Sequence, residues 1–254
     1  SSFKLIHSII YPKGSVKILA LRNENDTEQR NMENFLKNAV KKFKESDLSV
    51  SYSVIDNTDF NTTVNVSMQS LNAAFFKPNI IFVSIDPATS NLAYYNKLIA
   101  DTKKNNFGMV IYIPFATASL AIEKSINLWM TDIPVDWKET FSVNNNNLSA
   151  LTSLLICRNW KGNIDVHILN NNPHLIFGEN DIEDLKTMVR FPKHTTIKIH
   201  QGKLLENVIQ EKNADVNIFN IDQGVTIDDM VKIVNDSRIS AVFCSDSDFE
   251  NVLV

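Results

Sequence analysis

The sequence predicts an α/β protein of two related halves with mainly parallel sheets, and three observations carry that expectation. Strand-like apolar runs alternate with amphipathic helix-like runs along the 254-residue chain, the rhythm of βαβ units. The order of segments recurs: "KPNIIFVSI" (Lys77–Ile85) is answered by "NADVNIFNI" (Asn213–Ile221), and "KNNFGMVIYI" (Lys104–Ile113) by "NDSRISAVFCS" (Asn235–Ser245). Convergence on one βαβ rhythm would give the same pattern, so the repeat alone does not establish duplication. Hydrophobic residues make up 44% and charged residues 21%, a balance that can fill a core and that disordered chains lack.

Taken in order, "VKILALR" (Val16–Arg22) reads as the first strand. Asp26 offers an N-cap to the next helix, with Gln29 as capping-box partner. Met32, Phe35, Leu36, Ala39, Val40 and Phe43 then recur at helical spacing, and Lys41, Lys42 and Lys44 suit the negative C-terminal end. Leu48–Ile55 alternates like a strand with one wet face. A helix is expected over Val64–Phe76, stopped before Pro78, because the residue preceding proline disfavours helical backbone. Strand Asn79–Ile85, helix Asn91–Lys104, strand Gly108–Ile113, helix Ala116–Ser125 and strand Ile126–Met130 follow. Beyond the midpoint come strands Asn163–Leu169, Thr195–His200, Ala214–Ile221 and Ile239–Ser245. Helices Asp181–Arg190, Lys203–Lys212 and Ile227–Asn235 alternate with them.

Between the halves lies "NNNNLSALTSLLICRNWKGNIDVHIL" (Asn144–Leu169). Leu148, Ala150, Leu151, Leu154, Leu155, Ile156 and Cys157 make a helix apolar almost all round, so deep burial is expected. The asparagine run provides its start, Arg158 and Lys161 suit its C-terminal dipole, and Gly162 suits its exit. The expected organisation is a first α/β subdomain over 1–143, a connecting buried helix over 144–162 and a second α/β subdomain over 163–254.

Chemistry is hard to find. The six glycines are scattered, so neither a G-x-G-x-x-G turn nor a P-loop can form. His7, His167, His174, His194 and His200 show no metal-ligand spacing, and no metal or cofactor is expected. Cys157 and Cys244 sit in apolar runs and read as buried free thiols. Asp246, Asp248 and Glu250 follow a strand where open α/β sheets bind ligands; a solvated acidic turn explains them more simply, and Asp86 and Asp222 are treated alike. Trp129, Trp137 and Trp160 suit a ligand pocket or, more simply, a joint between halves or an interface with another chain. A net charge of −4 gives no reason to expect nucleic acid. The uncharged apolar run Phe107–Ile122 is too short for a bilayer span.

The central segment, with its polar turn, leucine-rich helix and Arg158-Asn159-Trp160-Lys161-Gly162, resembles the cytosolic C-terminal domain of bacterial cation–chloride cotransporters. "MQSLNAAFFKPNIIFVSI" (Met68–Ile85), "INLWMTDIPVDWK" (Ile126–Lys138) and "NADVNIFNI" resemble other pieces of that domain in the same order. The resemblance implies two universal-stress-protein-like (Rossmann-like) three-layer α/β/α halves beneath a transmembrane transporter. It further implies a non-catalytic, regulatory and dimerising role on the cytoplasmic side of the membrane, with the transporter's own membrane domain and a second copy as partners. Some relatives bind nucleotide; here "AAFFKPN" replaces their glycine-rich sequence, and no binding residue is carried over. Two other readings follow from the residues: a free-standing tandem nucleotide-binding protein, and a metal-dependent transferase using Asp246 and Asp248.

Overall fold

The computed structural model describes residues 2–23, 29–57, 59–75, 77–88, 92–117, 120–131, 133–134, 136–143, 146–211, 214–221, 224–247, 250 and 252. The chain packs as two compact units, Ser2–Pro78 and Asn79–Val254.

The first unit runs α1 (Ser2–Ile10), β1 (Ser15–Asn23), α2 (Gln29–Lys44), β2 (Ser49–Asn57) and α3 (Phe60–Asn72). β1 and β2 pair in parallel from Ser15 opposite Ser49. Leu36, Ala39 and Phe43 of α2 are buried, as their spacing predicts, but Phe35 is 58% exposed. The apolar face is therefore narrower than expected. Helix α1, which periodicity did not reveal, explains part of this: its Phe3 ring lies 5.5 Å from Phe35 and 5.7 Å from Phe43. The sequence-based N-cap of α2, Asp26, lies outside the described residues. α3 begins four residues before the expected Val64, because the Asp59 carboxylate accepts from the Thr62 amide at 2.8 Å and caps the helix there.

The second unit contains β3 (Ile80–Ser84), α4 (Ala93–Lys104), β4 (Gly108–Ile113) and β5 (Ser125–Met130). A 3₁₀ turn (Trp137–Glu139) and the short α5 (Thr140–Val143) lead to α6 (Asn147–Trp160) and β6 (Asn163–Leu169). Then come α7 (Glu179–Val189), β7 (Thr196–His200), α8 (Leu204–Gln210), β8 (Val216–Asn220), α9 (Ile227–Ser237) and β9 (Ala241–Ser245). Their strands form one seven-stranded sheet in the order β3-β4-β9-β8-β5-β6-β7. Pairing is parallel except at β4–β9, where strands from early and late in the sequence meet antiparallel. β5 pairs with both β6 and β8, so it is the central strand of the later group. The expected boundaries at 143 and 162 thus fall inside one unit, with β5 lying on their N-terminal side and pairing beyond them.

The helix expected over Ala116–Ser125 does not form among the described residues. Ala121 and Glu123 take left-handed φ values of 45° and 57°, which right-handed helix excludes. α6 packs on one sheet face against β5, β6, β8 and β9, while α4 and α9 contact β4 and each other. The buried side of α6 carries Leu148, Ala150, Ile156 and Cys157 but not its other leucines. Ser149, Thr152 and Ser153 are buried against its neighbours, whereas Leu151, Leu154 and Leu155 are only half-buried. Small side chains let the helix approach closely, and the Cys244 thiol of β9 reaches the Thr152 hydroxyl at 3.8 Å. Lys161 ends α6 in the left-handed conformation. Gly162 is required next, because a Cβ there would collide with the Lys124 carbonyl oxygen.

Candidate functional site

On the sheet face opposite α6, β5 to β8 present an unusually polar and aromatic surface. Register places Trp129 opposite both His167 and Phe219, and His167 opposite Lys198. Because side chains alternate, Asn127, Trp129, His167, Lys198, His200, Asn217 and Phe219 share this face. The rings form a row across five strands. Centroids are 5.1 Å apart for His200–His167, 4.4 Å for His167–Trp129, 6.2 Å for Trp129–Phe219 and 5.0 Å for Phe219–Phe243. The Trp129 indole N–H donates to Asn217 Oδ1 at 3.1 Å, and Asn127 Nδ2 donates to the Glu211 carbonyl at 3.1 Å.

At the β7 end this row becomes ionisable. His167 Nδ1 and His200 Nε2 lie 2.9 Å apart, and Lys198 Nζ pairs with Glu211 Oε2 at 2.7 Å. One donor atom from each of His167, His200 and Glu211 lies within 4.8 Å of the others. His167 is fully buried and its Nε2 has no hydrogen-bond partner, while His200 and Glu211 are half-buried. Burial, then repulsion from His200, pushes the His167 pKa down to about 4, with Lys198 lowering it further and Glu211 and Asp165 opposing. Burial also lowers that of His200. The Glu211 carboxyl is held below its ordinary range, chiefly by the hydrogen bond from Lys198.

These shifts set a pH dependence. The folded state binds fewer protons than the unfolded chain between about pH 6.5 and pH 4, so stability falls on acidification through that window. With chelator present, stability at pH 5 should be lower than at pH 7 by about 2 kcal/mol from His167. Urea melts at the two pH values read this directly. A His167→Leu variant should lose most of the difference even though its overall stability changes.

The sites suggested by acidic spacing behave differently. Asp246 is a helix cap: its carboxylate accepts from the Asn147 amide at 3.1 Å and the Leu148 amide at 2.9 Å. Burial raises its pKa against these hydrogen bonds. Glu250 is engaged by the Ser247 amide and hydroxyl at 2.7–2.9 Å. Asp86 closes a local turn through the Ala88 amide at 2.9 Å, and Asp222 and Asp248 lie outside the described residues. Both cysteines are free and buried, and burial raises their thiol pKa values, keeping them poor nucleophiles.

The cap role expected of the asparagine run therefore belongs to Asp246, 98 residues from Leu148. Asn146 holds the N-cap position without a side-chain cap bond, and its buried amide atoms are unpartnered. Asp246→Ala should cost about 2–3 kcal/mol by stripping two buried N–H groups of their acceptor, and Asn146→Ala under about 1 kcal/mol. Thermal melts of the two variants test the ranking.

The tryptophans serve separate places. Trp129 is in the ring row, Trp137 donates to Asp181 Oδ1 at 3.0 Å, and the Trp160 carbonyl accepts from Lys124 Nζ at 3.3 Å. In the first unit, Lys17, Leu19, Tyr52, Asp56, Thr62 and Val66 are among the residues lining a cavity of about 490 Å³. Sequence spacing does not reveal the His167 cluster, because its members are dispersed along the chain. Polar residues alternating with Ile and Val in "NIDVHIL" were the available signal.

Two family models match the chain in succession: "Prokaryotic cation-chloride cotransporter, C-terminal domain, 1st" over residues 1–120, and its "2nd" counterpart over 122–253. The crystal structure of the cytoplasmic domain of a prokaryotic cation chloride cotransporter superposes with a TM-score of 0.81 at 24% identity, covering 99% of this chain and 92% of that one. A putative universal stress protein from Pseudomonas aeruginosa UCBPP-PA14 gives 0.59 at 12% identity, covering 94% and 85%. A universal stress protein from Archaeoglobus fulgidus DSM 4304 gives 0.51 at 9%, covering 92% and 87%. The fold is thus that of the universal stress proteins, as the resemblance implied. No curated protein sequence matches the chain.

Proposed function

Because the chain belongs to the prokaryotic cation–chloride cotransporter C-terminal domain family, we propose that it is the cytoplasmic regulatory and dimerisation domain of such a transporter, without catalytic activity. The observation that carries this reading is the succession of the two family matches, which together run almost end to end. The crystal structure that superposes over nearly the whole chain is itself a cytoplasmic domain, which supports the placement. Among the described residues no helix is long and apolar enough to cross a membrane, and the family match implies the transporter's own spanning domain as partner. Acidic candidates used as caps and turns, and thiols held protonated, are consistent with a non-catalytic role.

The reading frame preceding this sequence should encode roughly a dozen apolar spans of about 20 residues each. A start codon directly before Phe3 would overturn the proposal. A self-complementary contact is what a two-fold transporter requires, and sedimentation should show a monomer–dimer equilibrium. A strict monomer at high concentration would remove dimerisation from the proposal. The likeness to universal stress proteins favours one alternative, a nucleotide-binding protein. A clear thermal shift with ATP from a stand-alone gene product favours that alternative, since a bound ligand raises the melting temperature.

A further inference from the structure

We propose that His167, His200 and Glu211 form a binding site for a divalent transition-metal ion of the zinc class, independently of the transporter reading. Two imidazoles and one carboxylate are a donor set such ions favour, with the fourth position left to water. The geometry is close to what an ion needs. His167 Nδ1 and His200 Nε2 are 2.9 Å apart, whereas ligands about 2.0–2.1 Å from a tetrahedral ion lie roughly 3.3 Å from each other. A shift of a few tenths of an ångström at His200, on edge strand β7, brings the two imidazole nitrogens to that spacing. All three donor atoms already lie within 4.8 Å of one another.

The surroundings orient the ligands. Trp129 stacks on the His167 ring at 4.4 Å with an interplanar angle of 17°, so that imidazole cannot swing away. Half-buried His200 and Glu211 provide the approach from solvent. Lys198 opposes binding, because its ammonium pairs with Glu211 Oε2 at 2.7 Å and would face the ion. Its side chain is 45% exposed and can turn outward. Bound metal would tie β6, β7 and the segment after α8 together.

The test is calorimetric titration of chelator-treated protein with Zn²⁺, and with Co²⁺ for its ligand-field absorption. One ion per chain is expected, with a tetrahedral cobalt spectrum and a higher melting temperature on zinc addition. His200→Ala and Glu211→Gln should weaken zinc binding by roughly tenfold or more, and Lys198→Gln should strengthen it. His174→Ala and His194→Ala should leave it unchanged. These substitutions avoid the fully buried His167, and circular dichroism verifies that each variant is folded. Absence of zinc binding by the wild type, or binding unaltered in both His200→Ala and Glu211→Gln, overturns the proposal.

Discussion

Trp129→Ala is expected to destabilise the second unit by about 3–5 kcal/mol, the range for emptying a large aromatic site in a core. Trp129 is fully buried on an inner strand of the sheet, between His167 at 4.4 Å and Phe219 at 6.2 Å. Alanine would open a cavity in the ring row and strip Asn217 Oδ1 of its donor; Asn217 Nδ2 already lacks a partner. The two losses share one pocket, so they do not add simply. Urea unfolding of the wild type and variant measures the difference. Trp129→Phe, which keeps a ring but loses the N–H, should cost about 1–3 kcal/mol. Equal losses for the two variants would show that the hydrogen bond, rather than ring volume, dominates.

Asp215→Ala should cost a similar 3–5 kcal/mol, roughly, by a different route. Asp215 is only 8% exposed. Its Oδ2 accepts from the Lys124 amide at 2.8 Å, the Ser125 amide at 2.9 Å and the Ser125 hydroxyl at 3.1 Å. Its own amide donates to the Ser125 carbonyl at 2.9 Å. The side chain thus fastens the start of β5 to the start of β8, and each of these partly buried donors left bare costs about 1–3 kcal/mol. Asp215→Asn retains one acceptor oxygen and should lose about half as much. At roughly 2–4 °C per kcal/mol for a unit of this size, thermal melts resolve all three proteins. The Ala214-Asp215 pair of the late strand motif therefore has a structural reason: it positions the strand that carries Trp129.

Much of this was legible in the residues. β4 and β6 lie where their apolar runs put them, at Gly108–Ile113 and Asn163–Leu169, since a buried strand needs a contiguous apolar stretch bounded by turns. α6 likewise follows from its composition, although its packing side does not. Leucines look like the core side of a helix, yet serine and threonine allow the closer approach to the sheet. The 116–125 segment misled because its composition allows helix while Ala121 and Glu123 turn left-handed.

The sequence by itself determined the α/β class, most strands and the family, because periodicity, turn residues and motif order are local properties that a window of residues carries. Tertiary structure alone decided the antiparallel β4–β9 junction, the central place of β5 and the capping of α6 by Asp246. It also decided the meeting of His167 with His200, 33 residues away, and with Glu211. Each of these depends on which distant strands pair and in what register, and that choice is made by the packing energy of the whole sheet.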